Sequence, residues 1–231
     1  MSEKKKLSLG TVYMILAVAV CAIVMSLVDG VWQPDYVLKS AVKAVIFILG
    51  PLGYFLIARK ELSAFGALFK AKKRSLLIAA GLGVLVYGFI VGGYFVLRGF
   101  IDFSSIASGL DGRTGINADN LLYVALYMSF INSFLEEFLF RGFGFLMMKR
   151  RTSRGFAYVF SALMFALYHS GVTAGWFNIG IFLLTLLGLT AAGIVFNFLD
   201  DKSESIYTSW IVHMFANFGT NTAGFIILGV I

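Results

Sequence analysis

The chain has 231 residues, of which 59% are hydrophobic, 16% aromatic and only 13% charged, and its mean hydropathy is +0.88. Soluble domains average about 45–50% apolar and about 25% charged residues, so this composition excludes a soluble globular domain and a disordered chain; the prolines, two in all, exclude a proline-rich linker. The net charge of +7 does not point to nucleic acid, because Lys4 to Lys6, Lys70 to Arg74 and Lys149 to Arg154 stand beside apolar stretches, which is the positive-inside pattern of a membrane protein. The single cysteine, Cys21, excludes an internal disulfide, a Cys-rich zinc site and a CxxC redox pair.

Hydropathy lays out the spans in chain order. The apolar run from Leu7 to Leu27 is longer than a signal-peptide core, and Val20 rather than a small residue precedes Cys21. An uncleaved first span over about Thr11–Val28 is expected. A polar loop, Asp29 to Asp35, leads to a second span over about Val37–Ala58, with Lys39 and Lys43 near its outer end and Pro51 inside. Arg59 to Arg74 reads as a basic loop whose apolar residues suit the membrane interface. The third span, about Leu76–Leu97, contains Gly88 and Gly92 at a spacing that permits close helix packing. After the long loop Arg98 to Asp119 come spans over about Leu121–Met148, Phe156–Ser170, Trp176–Leu199 and Ile206–Ile231. The fourth is longer than a bilayer needs, and the last is long enough to break in two. Gly188, Ala191, Ala192, Gly193, Ala216 and Gly219 supply small packing surfaces.

At about 20 residues per span the length allows seven or eight spans. The expectation is an all-α, polytopic transmembrane helix bundle, residues 1–231 forming a single membrane domain. The Lys/Arg-rich loops put the N-terminus inside, in the cytoplasm; the acidic loop Asp200 to Glu204 falls on the same side. A short chain without an organellar signal suits a prokaryotic plasma membrane.

Several polar residues interrupt these spans. Glu136, Glu137 and Arg141 lie within the fourth, and both histidines of the chain, His169 and His213, lie within others. A charge at a helix centre costs about 2.5–3.5 kcal/mol on insertion scales, so three in one span need partners or a task. Glu137 and Arg141 are i, i+4 on one face, in the favourable order for an ion pair. Glu136, about 100° further round, is the carboxylate left over. His213 and Asn217 also share a face. Counted from the inside ends at about 1.5 Å per residue, Glu136 and His169 lie about 20 Å deep, His213 about 10 Å and Asn217 about 16 Å, and tilt allows the four to meet inside the membrane.

A carboxylate beside an imidazole can take a proton from water and make it a nucleophile. Attack on an amide then develops an oxyanion, which a His N–H and an Asn amide on one helix face could receive. Other readings remain open at this level. Glu136 could pair with Arg141 in place of Glu137, His169 could be a span-end residue, and His213 and Asn217 could be interhelical hydrogen-bonding glue. Glu136, His169 and His213 could be three zinc ligands, although HExxH is absent. Intramembrane Glu, His and Arg also mark proton relays, and a partner-binding or immunity protein is a further non-catalytic reading. The phenylalanines Phe134, Phe138, Phe140, Phe143 and Phe145, and Phe165, read as packing residues.

The pattern resembles a known family. Glu136-Glu137-Phe138-Leu139-Phe140-Arg141 resembles the EExxxR motif of the CAAX prenyl proteases and bacteriocin-processing enzymes, a group of intramembrane endopeptidases. Phe165-Ala166-Leu167-Tyr168-His169 resembles their FxxxH motif, and His213-Met214-Phe215-Ala216-Asn217 their HxxxN motif. The resemblance covers about residues 121–217, a CAAX-protease-like catalytic core. The first three spans carry no matching motif, and Asp200 to Glu204 stands where relatives often have a short Thr-Gly-like turn. The resemblance implies an eight-helix-like bundle that cleaves a membrane-associated peptide or protein without a cofactor. Catalytic Glu136 would work with His169 on water, catalytic His213 and Asn217 would bind the oxyanion, and Glu137 with Arg141 would give structural support. Prenylated C-terminal peptides, bacteriocin leaders and signalling-peptide precursors all suit such an enzyme. The family was long described as metalloproteases, the glutamate mechanism being the later reading.

Overall fold

Four of the long helices begin where the sequence offers a cap. In a computed structural model that describes residues 8–103, 119–174 and 178–231, Ser8, Asp35, Ser153 and Asn178 accept a hydrogen bond from a backbone N–H of the first turn that follows them. Among the described residues there are seven long helical rods: α1 (Leu9–Leu27), α2 (Tyr36–Ile57), α3 (Lys73–Leu97), α4 (121–150), α5 (Arg154–Tyr168), α6 (Ile179–Ser203) and α7 (Tyr207–Ile227). Among the described residues there is no strand. Lys4 to Lys6, most of the loop after α3 and Trp176 lie outside the described residues.

Five helices are long and apolar enough to cross a membrane: Leu9–Trp32, Tyr36–Ile57, Lys73–Leu97, Arg154–Thr173 and Ile179–Ser203. The seven or eight spans expected from hydropathy therefore stand at five by length and composition among the described residues. The two rods outside this set, α4 and α7, are those that carry the acidic pair and the His213–Asn217 face.

α4 is the centre of the fold. From Leu139 to Met148 every residue is buried, as expected of a helix enclosed by its neighbours on all sides. It is α-helical at Leu121–Tyr127 and Ser133–Glu136, but π-helical at Met128–Asn132 and Glu137–Met147. π turns in α-helices are usually single and often mark functional sites; here the longer of the two π segments begins directly after Glu136. Phe140, Phe143 and Phe145 are fully buried. Phe140 meets Phe47 of α2 and Phe165 of α5 edge-on, both at 5.7 Å between ring centres. The phenylalanines thus pack as their composition suggests.

The loops bring further corrections. Asp200 to Ser203 are the last turn of α6 rather than a loop, and Glu204 in the left-handed region (φ 54°) ends it. Asp200 is fully buried, and its carboxylate accepts from Ser209 N at 2.9 Å, Thr208 Oγ1 at 2.7 Å and Ser209 Oγ at 2.7 Å. The α6 carboxylate thereby caps α7. Phe65 and Leu68, expected at the interface, are buried in the bundle, and the Leu68 carbonyl accepts from Ile206 N at 3.2 Å. Gly88 and Gly92 face open space, whereas a Cβ on Gly219 would come within 3.1 Å of Ile90 and one on Gly193 within 3.0 Å of Ala162 Cα. The close helix contacts thus use other glycines than the GxxxG pair. α7 is one unbroken helix that ends at Ile227.

Contacts between loops define one end of the bundle. Arg151, after α4, pairs with Glu61, after α2. Lys149 and Arg154 pair with Asp201 at the end of α6. The basic runs after α2 and α4 and the acidic end of α6 therefore share one face, and part of the basic charge is neutralised there.

Candidate active site

The site lies towards the opposite end, where α5 finishes and α1 meets α2. The turn of α1 that continues through Trp32 carries Asp29, which pairs with Lys39 of α2 at 2.9 Å. One turn deeper, Lys43 reaches α4. Sequence placed Lys43 near an outer span end, yet it is 6% exposed and sits within the site. Buried in the bundle, its ammonium takes carboxylate, amide and hydroxyl partners.

Glu136 is 1% exposed. Its two oxygens have different surroundings. Oε1 accepts from Asn132 Nδ2 at 2.7 Å, Tyr168 OH at 2.9 Å and Lys43 Nζ at 3.3 Å. Oε2 is buried and accepts no hydrogen bond from the protein. It lies 3.7 Å from His169 Nε2 and 3.7 Å from His213 Nε2. That separation is too long for a direct hydrogen bond and suits groups that act on a molecule held between them.

The far nitrogen of each imidazole is anchored. His169 Nδ1 is 2.8 Å from the Phe165 carbonyl. A carbonyl only accepts, so Nδ1 carries the proton and Nε2 presents a lone pair when the ring is neutral. His213 Nδ1 is 2.7 Å from Glu137 Oε1, so Glu137 orients this ring. The other Glu137 oxygen lies 3.2 Å from Arg141 Nε. Arg141, fully buried, also sits over the rings of Phe165 at 4.0 Å and Phe196 at 4.9 Å. Phe196 stacks on His213, and Phe165 meets both histidines edge-on. Arg141, Glu137 and His213 thus form a continuous chain, with the two phenylalanines as its walls.

The register of α7 against α4 explains how His213 reaches Glu136. Counting from the span end put His213 about 10 Å shallower. The count assumed that α7 starts at the membrane surface. Instead Ser205 and Ile206 are fully buried, and Ile206 packs beside Gly142. Glu136 precedes Gly142 by about one and a half turns, and His213 follows Ile206 by about two. In antiparallel helices these distances match.

The structure therefore brings Glu136, His169 and His213 together, with Glu137 and Arg141 behind His213. Asn217 shares the His213 face of α7, and its Nδ2 donates to the Met128 carbonyl in the first π segment at 2.9 Å. One of its two N–H donors is so engaged. Lys43, Asn132 and Tyr168 were missed by sequence reasoning. Asn132 at i−4 from Glu136 was the available signal for one of them. Glu136, His169 and His213 are also the trio that a zinc ion would require. Among the described residues, however, no group of three or more His, Cys, Asp or Glu side chains is placed to hold a metal ion.

Residues 118–219 match the Rce1-like family model, type II CAAX prenyl endopeptidase. This is the CAAX-protease family that the motifs resemble. The Rce1-like segment runs from just before α4 to α7 and contains all three motifs, while Lys43 lies outside it. No curated protein and no solved structure gives a significant match to the chain. The chain is thus an integral membrane protein in which residues 118–219 are similar to a protease family.

Proposed function

We propose that the protein is an intramembrane endopeptidase that hydrolyses a peptide bond of a membrane-associated peptide or protein by a metal-independent, glutamate-activated water. The observation that carries this reading is the free Oε2 of Glu136, 3.7 Å from both imidazole Nε2 atoms. A water between Glu136 Oε2 and His169 Nε2 has two proton acceptors and becomes a nucleophile as one of them takes its proton. Attack on the scissile carbonyl forms a tetrahedral oxyanion. His213 donates Nε2–H to it as imidazolium, since its Nδ1–H is directed at Glu137, and the Glu137 carboxylate is the counter-charge. The second Asn217 N–H completes the oxyanion hole. The proton taken by Glu136 then passes to the leaving amine, and the base is restored.

In this reading α4 and α7 cross the membrane together with the five more apolar helices, the N-terminus is cytoplasmic, and the cell is prokaryotic. The family description supports prenylated C-terminal peptides as the first substrates to try.

Cleavage by the purified protein in detergent tests the reading, with product masses read directly for the parent and for Glu136→Gln, each with and without a strong chelator. Removal of the base is expected to lower the rate by at least about 10²–10⁴, and the chelator is expected to have no effect. Cleavage that persists in Glu136→Gln sinks the assignment of the base. Cleavage abolished by the chelator in the parent moves the reaction to a metal.

A further inference from the structure

The N-terminal half of the chain, outside the Rce1-like segment, supplies a residue to the site. Lys43 stands 93 positions before Glu136 and is buried with it. An ammonium has three donors and no acceptor, and the three neighbours of Lys43 Nζ are Glu136 Oε1, Asn132 Oδ1 and the Tyr168 hydroxyl. Asn132 and Tyr168 each hand a hydrogen bond on to the same oxygen, Glu136 Oε1. Every donor in this cluster therefore converges on one oxygen of the carboxylate, and the other is left to face the histidines. Lys39, one turn away on α2, is held by Asp29 and does not stand in for Lys43.

We propose that Lys43 is a positioning residue of the reaction. Its ammonium offsets the buried charge of Glu136. Directly and through Asn132 and Tyr168, it locks Oε1 so that Oε2 stays 3.7 Å from His169 Nε2 and from His213 Nε2. A carboxylate turned part-way about its Cγ–Cδ bond would point neither oxygen at the histidines. The inference rests on Glu136 being the base.

The test compares the full-length parent, Lys43→Met, Lys43→Arg and Glu136→Gln in detergent, with kcat and KM measured separately. Lys43→Met is expected to lower kcat about 10²-fold, the scale of an ångström-sized misplacement of a reacting group, with KM within about twofold. Lys43→Arg keeps the charge and is expected to recover at least about tenfold of that loss. If Lys43→Met proves unstable, thermal unfolding of Lys43→Met/Glu136→Gln decides. With no charge left to compensate, the double variant is expected to unfold at a higher temperature than Lys43→Met alone. A parent-like kcat in Lys43→Met, Lys43→Arg as slow as Lys43→Met, or a double variant no more stable than Lys43→Met overturns the proposal. Activity in Glu136→Gln instead removes the reading on which it rests. An inactive Glu136→Gln beside a fully active Lys43→Met removes only the role of Lys43.

Discussion

At the scale of single residues, Asn217 offers the sharpest discrimination. Its amide ties α7 to the Met128 carbonyl in a π turn of α4, so a purely structural role would cost stability and spare the chemistry. A role in the oxyanion hole makes the opposite prediction. Asn217→Ala is expected to lower kcat about 10²–10³-fold, the usual effect of losing one oxyanion donor, with KM little changed and with the unfolding temperature lowered only by the loss of one hydrogen bond. A lower unfolding temperature with unchanged kcat would reduce Asn217 to interhelical glue. Asn217 was visible in the sequence, as were Glu136, Glu137, Arg141, His169 and His213, because polar groups inside apolar spans carry a cost that demands a reason. Lys43 and Tyr168 were hidden for the converse reason. A lysine near a span end reads as snorkelling, and tyrosine is common at membrane interfaces. Their contact with Glu136 is tertiary and leaves no local spacing to detect.

At the scale of helices, hydropathy located the rods but could not tell which faces meet. Gly88 and Gly92 have the spacing of a packing motif and face open space, whereas Gly193 lies against the backbone of α5. Opposite responses to the same substitution are therefore expected. Gly193→Ala places a methyl within 3.0 Å of Ala162 Cα, and overpacking of this kind costs about 1–3 kcal/mol. Gly88→Ala meets nothing within 4 Å and gains the higher helix propensity of alanine, roughly 0.5–1 kcal/mol. Thermal unfolding in detergent should move down for the first and hold or rise for the second, and equal shifts would refute the α5–α6 contact. The π turns of α4 were equally illegible, since the motif EExxxR reads the same on an α-helix. The i, i+4 pairing of Glu137 with Arg141 persists in the wider turns, but the buried ring of residues from Leu139 to Met148 has no amphipathic period to reveal them. The depth of His213 was misjudged because the buried Asp200 cap, which draws the start of α7 into the bundle, lay in a stretch that reads as a surface loop.

At the scale of the whole molecule, the ends of the helices sort into two groups. Arg151–Glu61, Lys149–Asp201 and Arg154–Asp201 gather the connections after α2, α4 and α6 at one end. Asp29–Lys39 and the hydrogen bond between Ser26 and Ser170 tie the opposite ends of α1, α2 and α5. In the proposed topology the seven described rods all cross the bilayer, which puts the two chain ends on opposite sides and the basic end in the cytoplasm. Among the described residues five of the rods meet the length and apolarity of a membrane span, so the crossing of α4 and α7 carries the topology. Single cysteines in a Cys21→Ala background test it, read with a membrane-impermeant maleimide on intact cells and on inverted vesicles. Gln33→Cys, Gly99→Cys and Val230→Cys are expected to react from outside the cell, and Lys72→Cys, Arg150→Cys and Glu204→Cys only in inverted vesicles. Labelling of Gly99→Cys and Arg150→Cys from the same side would mean that α4 does not cross. Labelling of Glu204→Cys and Val230→Cys from the same side would mean the same for α7. The first result would place Glu136, and the second His213, on a helix that enters the membrane without spanning it, and the site would then open to water from one face of the bundle.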